Sequence, residues 1–152
     1  MLRHLHIQQY VLIEHLDLDL FPGFNIITGE TGAGKSILLG ALGLILGARA
    51  DSAAIKQGAE QCIVEATFDV RGYGLEALFE CEDLEYADEL IIRRQVATSG
   101  KSRAFINDTP VTLAQLKTVG ERLIDIHSQH ANLVLQDAPF QGEVLDSFAD
   151  NA

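Results

Sequence analysis

Hydrophobic and polar residues alternate in several short stretches of the chain, which is typical of strands with one face in water. The clearest stretch is residues 14–20, where three leucines alternate with polar residues. Residues 2–9 alternate less regularly, and residues 61–70 alternate again. Residues 89–96 and 102–107 flank a polar stretch that contains glycine, and they predict a hairpin. The pattern therefore predicts several antiparallel strands.

A different pattern follows a predicted turn at residues 21–23. Residues 24–28 form a short apolar run, which predicts a central strand buried on both faces. From Lys35 to Leu46 the chain is apolar nearly all round, which predicts a helix buried on most sides. Gly47 is the expected end of that helix, because glycine readily adopts the left-handed conformation found there.

The second half of the chain predicts further helices. Residues 73–82 predict a short helix, and residues 112–126 predict a longer one with Thr112 as its N-cap. Residues 123–127 also fit a strand, and residues 139–152 fit a last helix. The predicted fold is therefore an α/β domain around a mixed sheet.

Between the predicted buried strand and the first helix lies a glycine-rich loop. The pattern G-x-x-x-x-G-K-S/T is met in full by Gly29, Glu30, Thr31, Gly32, Ala33, Gly34, Lys35 and Ser36. Glycines let backbone N–H groups converge on phosphate oxygens, and they allow the positive φ angles of such a loop. Because the loop opens a helix, unpaired amides and the helix dipole also attract the anion. The pattern predicts a P-loop that binds a nucleoside triphosphate.

Two side chains of this loop are predicted to contact the bound phosphates and the metal ion directly. Lys35 is expected to reach the β and γ phosphates, and the Ser36 hydroxyl is expected to bind Mg²⁺. A second Gly-Lys-Ser, at residues 100–102, lacks the earlier glycine of the pattern and is predicted to be a hairpin tip. Residues 69–72 fit the D-x-x-G of GTPases, but the chain has no N-K-x-D guanine-binding motif, which argues against a GTPase.

Composition narrows the function further. The 152 residues suit one domain, and their formal net charge of −11 argues against broad, non-specific binding of DNA by this chain. One local basic group stands out: Arg93, Arg94, Lys101 and Arg103. No apolar run reaches the roughly 18 residues of a membrane span, so no membrane association is expected.

Three longer blocks resemble one known family. Residues 27–51, 93–111 and 123–133 are similar, in that order, to the N-terminal head segment of the RecN family of bacterial SMC-like DNA repair ATPases. The similarity runs from residue 1 to about residue 148, and the third block is the most specific. One departure is Ser128, where the family usually has glycine.

The resemblance implies a split ATPase head of the ABC/SMC type, with a P-loop NTPase fold. Residues 1–152 would be its N-terminal lobe, which carries the Walker A loop and the Q-loop. The coiled coil and the C-terminal lobe, with the signature motif and Walker B, would be absent, and the chain has neither an S-G-G-Q-type signature nor a heptad run.

By matching position, the resemblance assigns roles to further residues. Gln129 would be the Q-loop glutamine, near Mg²⁺ and the attacking water, and with Lys35 it would be catalytic. Arg49 would lie near a head–head or DNA surface, and Tyr10 would lie near the adenine or in the core. His127 and His130 are two ligands at most, which is too few for a zinc site.

The resemblance also implies function and partners. The full-length protein would hydrolyse ATP with Mg²⁺ in double-strand break repair and recombination, in the bacterial cytoplasm at the nucleoid. Its partners would be its own C-terminal lobe, a second head in a homodimer, and DNA. The 152 residues alone are expected to turn ATP over weakly or not at all. Two alternatives are a small P-loop kinase acting on a metabolite and a non-catalytic module that uses nucleotide as a switch.

Overall fold

The computed structural model describes residues 1–29 and 32–127, with residues 32 and 33 described by their backbone. Its strands are β1 (Leu2–Tyr10), β2 (Ile13–Asp19), β3 (Gln61–Asp69), β4 (Glu89–Ala97), β5 (Ser102–Ile106) and β6 (Thr109–Val111). Its α-helices are α1 (Gly32–Ile45), α2 (Glu76–Cys81) and α3 (Leu113–Gly120), and Ser52–Ala54 forms a 3₁₀ turn.

In the described part of the chain, the six strands form one sheet in the order β2-β1-β3-β4-β5-β6. Every neighbouring pair is antiparallel. The alternating pattern has the expected cause: Ile7, Val64 and Ile92 point to one face, where they are fully buried. Helices α1 and α3 cover that face, and the other face carries mainly polar side chains.

Local turn chemistry agrees with the predicted hairpin and forms a second one after it. β4 and β5 pair across a turn that contains Gly100 at φ +82°. β5 and β6 are joined by Asn107 and Asp108, both with positive φ, which is the conformation that a two-residue hairpin loop favours. The Asn107 side chain accepts a hydrogen bond from the Ile91 N–H at 2.7 Å, which ties this turn to β4.

The end of α1 is also as predicted. Gly47 has φ +88°, and its N–H bonds to the Leu44 carbonyl at 3.2 Å. The next N–H, of Ala48, bonds to the Gly43 carbonyl at 2.9 Å. This pair of bonds is a Schellman motif, which satisfies carbonyls that the helix itself leaves unpaired.

The predicted strand at residues 24–28 is wrong: the described residues 24–28 form no strand, and Phe24 and Ile26 are 91% and 71% exposed. An apolar run becomes a central strand only when neighbouring strands pair with it and other elements cover it. No described strand pairs with this segment. The sheet is therefore antiparallel rather than mixed.

Two helix predictions need correction. Ala41, Leu44 and Ile45 form the buried face of α1. Leu39 is 41% exposed, so the helix is not covered on most sides. Thr112 caps α3 as predicted, in a capping box with Gln115. However, α3 ends at Gly120.

Residues 123–127 form no strand. The Leu123 and Ile124 N–H groups bond back to the Gly120 carbonyl, which makes a turn at this point. A Cβ at Gly120 would lie 3.0 Å from the Leu46 backbone, so the chain turns where α3 meets the end of α1. The helix predicted at residues 139–152 lies outside the described residues.

A buried arginine fixes the C-terminal end of α1 to the sheet. Arg94 on β4 is 1% exposed. Its Nη1 donates to the carbonyls of Leu44 at 3.1 Å and Ala48 at 3.3 Å, and its Nη2 donates to Ser102 Oγ at 2.7 Å. A cation at this position also complements the negative end of the helix dipole. Burial lowers the pKa of Arg94, but the guanidinium stays charged because its usual value is so high.

The middle of α1 approaches β1 closely at Gly40. A Cβ at this glycine would lie 2.6 Å from the Tyr10 hydroxyl oxygen. Tyr10 is 6% exposed, so its ring has little freedom to move away. Gly40 therefore sets how near α1 lies to the sheet.

Replacing Arg94 with methionine should lower the free energy of unfolding by about 2–3 kcal/mol, because two carbonyls at the end of α1 lose their donor. Urea unfolding would measure the loss. The neighbouring Arg93→Met is the matched control. Arg93 lies on the polar face, 3.0 Å from Asp108 and 3.7 Å from Glu65, and removing these partly exposed pairs should cost less than about 1 kcal/mol. Equal losses for the two variants would contradict the anchoring role.

Gly40→Ala should destabilise the protein by about 1–2 kcal/mol, because the new methyl group overlaps the Tyr10 hydroxyl. Adding Tyr10→Phe removes the clashing oxygen and should restore most of the loss. Gly43→Ala is the control in the same helix, since its Cβ would make an ordinary 3.7 Å contact with Ala48. Thermal unfolding of the four proteins would test this, and a Gly40→Ala protein as stable as Gly43→Ala would rule the contact out.

Candidate functional site

The glycine-rich loop reaches the surface at the N-terminal end of α1. Gly29, Gly34, Lys35 and Ser36 are all exposed there. The first N–H groups of a helix have no acceptor within it, and the dipole makes this end positive. The first turn reads Gly-Ala-Gly-Lys and contains no acidic residue. This end of α1 is therefore electrostatically suited to an anion.

Gly34 gives an independent sign of a ligand site. A Cβ at this position would meet no heavy atom within 4 Å. Gly34 lies in the first turn of α1, and no close approach by another described residue requires a glycine there. Close approach of a bound phosphate to the backbone explains a glycine at this position, because phosphate oxygens must reach the backbone N–H groups directly. The Lys35 ammonium and the Ser36 hydroxyl add donors and a ligand suited to a phosphate–Mg²⁺ group.

The structure brings together part of the predicted site. Gly29, Gly32, Gly34, Lys35 and Ser36 gather at the start of α1, and Ala33 belongs to the same turn. Glu30, Thr31 and Gln129 lie outside the described residues, so the predicted Q-loop contact to Mg²⁺ and water stays a prediction. His130 lies outside as well, and His127 pairs with Asp125 at 2.8 Å.

Two residues assigned by resemblance lie away from the phosphate end. Tyr10 is a core residue that contacts the middle of α1, which agrees with the core alternative, and burial raises the pKa of its hydroxyl. Arg49 is exposed beyond the C-terminal end of α1. A helix of 14 residues is about 21 Å long, so Arg49 does not reach the phosphates of the same P-loop.

The basic group noted in the sequence does not form one patch. Arg93 and Arg94 are consecutive on β4, so they point to opposite faces of the sheet. Arg93 lies over the Phe105 ring at 4.6 Å on the polar face, whereas Arg94 is buried under α1. The role of Arg94 as an anchor of the P-loop helix was missed from the sequence. The alternating pattern of β4 carried the signal, since it places Arg94 on the same face as Leu90, Ile92 and Val96.

No helix within residues 1–29 and 32–127 is long and apolar enough to cross a bilayer.

Comparisons with known proteins agree with the motif. The family model described as AAA domain matches residues 4–148. DNA repair protein RecN of Vibrio cholerae is 43% identical over 153 residues, which cover 100% of this chain and 28% of that relative. The chain thus spans little more than a quarter of the relative's length, in its N-terminal part.

Solved structures show the same fold. One, described as "Structural biochemistry of ATP-driven dimerization and DNA stimulated activation of SMC ATPases", superposes with a TM-score of 0.69 at 20% identity, covering 96% of this chain and 97% of that chain. The Smc head domain of Pyrococcus furiosus, bound to the C-terminal domain of ScpA, gives a TM-score of 0.66 at 21% identity, covering 80% and 32%.

These matches confirm the α/β P-loop fold of an SMC-type head, and they give no support to the small-kinase alternative. The resemblance to RecN is confirmed over the whole chain, including the part that precedes the P-loop. With its P-loop at the start of α1 and a family match that spans 145 of its residues, the chain belongs to the AAA-domain family.

Proposed function

We propose that this chain is the nucleotide-binding N-terminal lobe of a split SMC-like ATPase head. The observation that carries the proposal is the complete phosphate-binding motif at the exposed start of α1, with a glycine at position 34 that the fold itself does not need. The whole protein would hydrolyse ATP during double-strand break repair and recombination. The relatives named DNA repair protein RecN support repair as the process.

The backbone of the loop, two of its side chains and Gln129 have distinct tasks in the proposed reaction. The N–H groups at the start of α1 and the Lys35 ammonium hold the β and γ phosphates and stabilise their charge as the γ-phosphoryl group leaves. The Ser36 hydroxyl would hold Mg²⁺, which when bound neutralises phosphate charge. Gln129 would orient the attacking water.

Uncovered apolar surface supports a missing second lobe. Phe24 and Ile26 lie two residues apart and are largely exposed, and Leu39 on α1 is 41% exposed. Large exposed apolar patches on soluble proteins often mark interaction sites. The chain spans 28% of its Vibrio cholerae relative, so most of a protein of that length would lie beyond it. The proposed cover is the C-terminal lobe of the same polypeptide, which would also bring Walker B.

The net charge argues against broad, non-specific binding of DNA by this lobe, and it leaves room for a local contact. The net charge is −11, and the arginines of β4 do not combine into a basic stripe. DNA would therefore meet the full-length protein, in the nucleoid of a bacterial cytoplasm. A second head would close on the γ-phosphate with its signature motif, in a homodimer. Arg49, exposed past the end of α1, is the proposed contact to that head or to DNA.

Lys35→Ala should weaken binding of Mg²⁺–ATP at least about tenfold, because a hydrogen bond to a charged group contributes roughly 1.5–3 kcal/mol. Calorimetric titration of the chain with ATP would measure this. Lys101→Ala is the matched control: it removes the lysine of the second Gly-Lys-Ser, at the β4–β5 turn, and should leave affinity unchanged. Equal affinity of both variants and the parent, or no binding by the parent, would refute the site.

The 152-residue chain should bind ATP but hydrolyse it at a negligible rate, because Walker B and the opposing signature motif would be missing. A phosphate-release assay compares it with a longer product of the same gene that continues through the C-terminal lobe. The longer protein should turn ATP over, and Lys35→Ala in it should abolish that turnover. Brisk hydrolysis by the 152 residues alone would contradict the split head.

A further inference from the structure

The polar face of the β1–β2 hairpin carries a compact group of histidine and aspartate side chains. β1 contributes His6, and β2 contributes His15 and Asp17. Pairing sets Asp17 directly opposite His6, and His15 is two residues from Asp17, so the strand period puts all three on one face. This group lies on the face opposite to α1.

Asp17 is the centre of the group. Its Oδ1 accepts a hydrogen bond from His6 Nδ1 at 2.8 Å, and its Oδ2 lies 2.5 Å from His15 Nε2. The two imidazole rings meet edge to face, with centroids 5.1 Å apart. One ligand atom from each of the three residues lies within 4.8 Å of the other two.

A neighbouring pair holds the carboxylate in place. His4 Nε2 lies 3.1 Å from Asp17 Oδ1, and His4 Nδ1 lies 2.7 Å from Asp19 Oδ1, so the ring bridges the two carboxylates. The contacts from His6 and His4 hold the Asp17 carboxylate in one orientation on this face of the hairpin. Metal ligands in proteins are commonly oriented by such outer partners.

We propose that His6, His15 and Asp17 bind one divalent transition-metal ion. Two imidazoles and one carboxylate are a donor set that Zn²⁺ and its neighbours in the first transition row favour, whereas Mg²⁺ and Ca²⁺ favour oxygen ligands. Ligand atoms around a tetrahedral zinc ion lie about 3.3 Å apart, given Zn–N bonds of about 2.0–2.1 Å. The three side chains need small rotamer adjustments to reach that spacing, and water completes the fourth position.

The location gives the ion a mechanical consequence. Among the described strands, β2 lies at the edge of the sheet and pairs with β1. A metal bridge between His6 and Asp17 cross-links these two strands. The chain then leaves β2 at Asp19 and runs into the P-loop segment, so the bridge fixes the strand from which that segment departs. This site is separate from the proposed ATP site, which lies at the start of α1.

The test is titration of the whole 152-residue chain with ZnCl₂ by calorimetry and with CoCl₂ by visible absorption. We expect saturation at one ion per chain, and a Co²⁺ spectrum of nitrogen and oxygen ligation. His6→Gln and His15→Gln should each weaken binding at least about tenfold, since loss of a ligand costs no less than loss of an outer partner. His15 is largely exposed, so its variant remains informative even if His6→Gln impairs folding.

His127→Gln and Cys81→Ser are matched controls. Both residues are exposed and neither belongs to the group, so both variants should bind Zn²⁺ as the parent does. Circular dichroism and unchanged ATP affinity of His6→Gln would separate metal loss from damage to the P-loop. The proposal is overturned by absence of saturable binding, by a thiolate charge-transfer band, by equal weakening in His127→Gln, or by displacement of Zn²⁺ with excess Mg²⁺.

Discussion

Everything at the phosphate end of α1 depends on how the other end of that helix is held. A helix terminus selects an anion only if its amides stay in place, and the fixed points lie at its C-terminal half. Arg94 donates to two carbonyls there, Gly47 completes the Schellman motif, and Gly40 lets the helix approach Tyr10. A buried guanidinium with three acceptors resists displacement, because moving α1 away would strand a charge in an apolar layer. The structure thus anchors one end of the helix and leaves the other open to solvent.

The sequence was sufficient to predict the structure where a conformation depends only on residues a few positions apart. The positive φ of Gly47, the capping box of Thr112 and the two-residue turn at Asn107–Asp108 follow from residue types within a few positions. The alternation of residues 61–70 predicted a strand with one face in water, and β3 alternates between buried and more exposed positions as expected. The P-loop motif was similarly readable, because backbone access to phosphate demands glycine at fixed spacing whatever the rest of the fold does.

Predictions failed where burial is decided by distant parts of the chain. Residues 24–28 have the composition of a central strand, but composition does not supply the neighbours that make a strand central. Arg94 shows the converse, since an arginine beside another arginine suggests a basic surface until the sheet assigns each to its face. The chain turns at residues 121–123, directly after Gly120 approaches Leu46, and no local pattern displays that close approach. Each failure concerns a tertiary contact and not a local propensity.

The proposed split head explains two exposed apolar surfaces together: the part of α1 that the sheet does not cover, and the segment 24–28. α1 is apolar nearly all round, yet the antiparallel sheet covers one of its faces. A helix of that composition is stable between two layers, with the sheet on one side and a second layer on the other. The apolar segment 24–28 leads directly into α1 and is itself unpaired, so it is the natural first strand of that second layer. Both surfaces would then be buried together when the strands of the proposed C-terminal lobe pair with this segment. The P-loop would lie where the second layer meets α1, so its geometry is completed by the same event that completes the core.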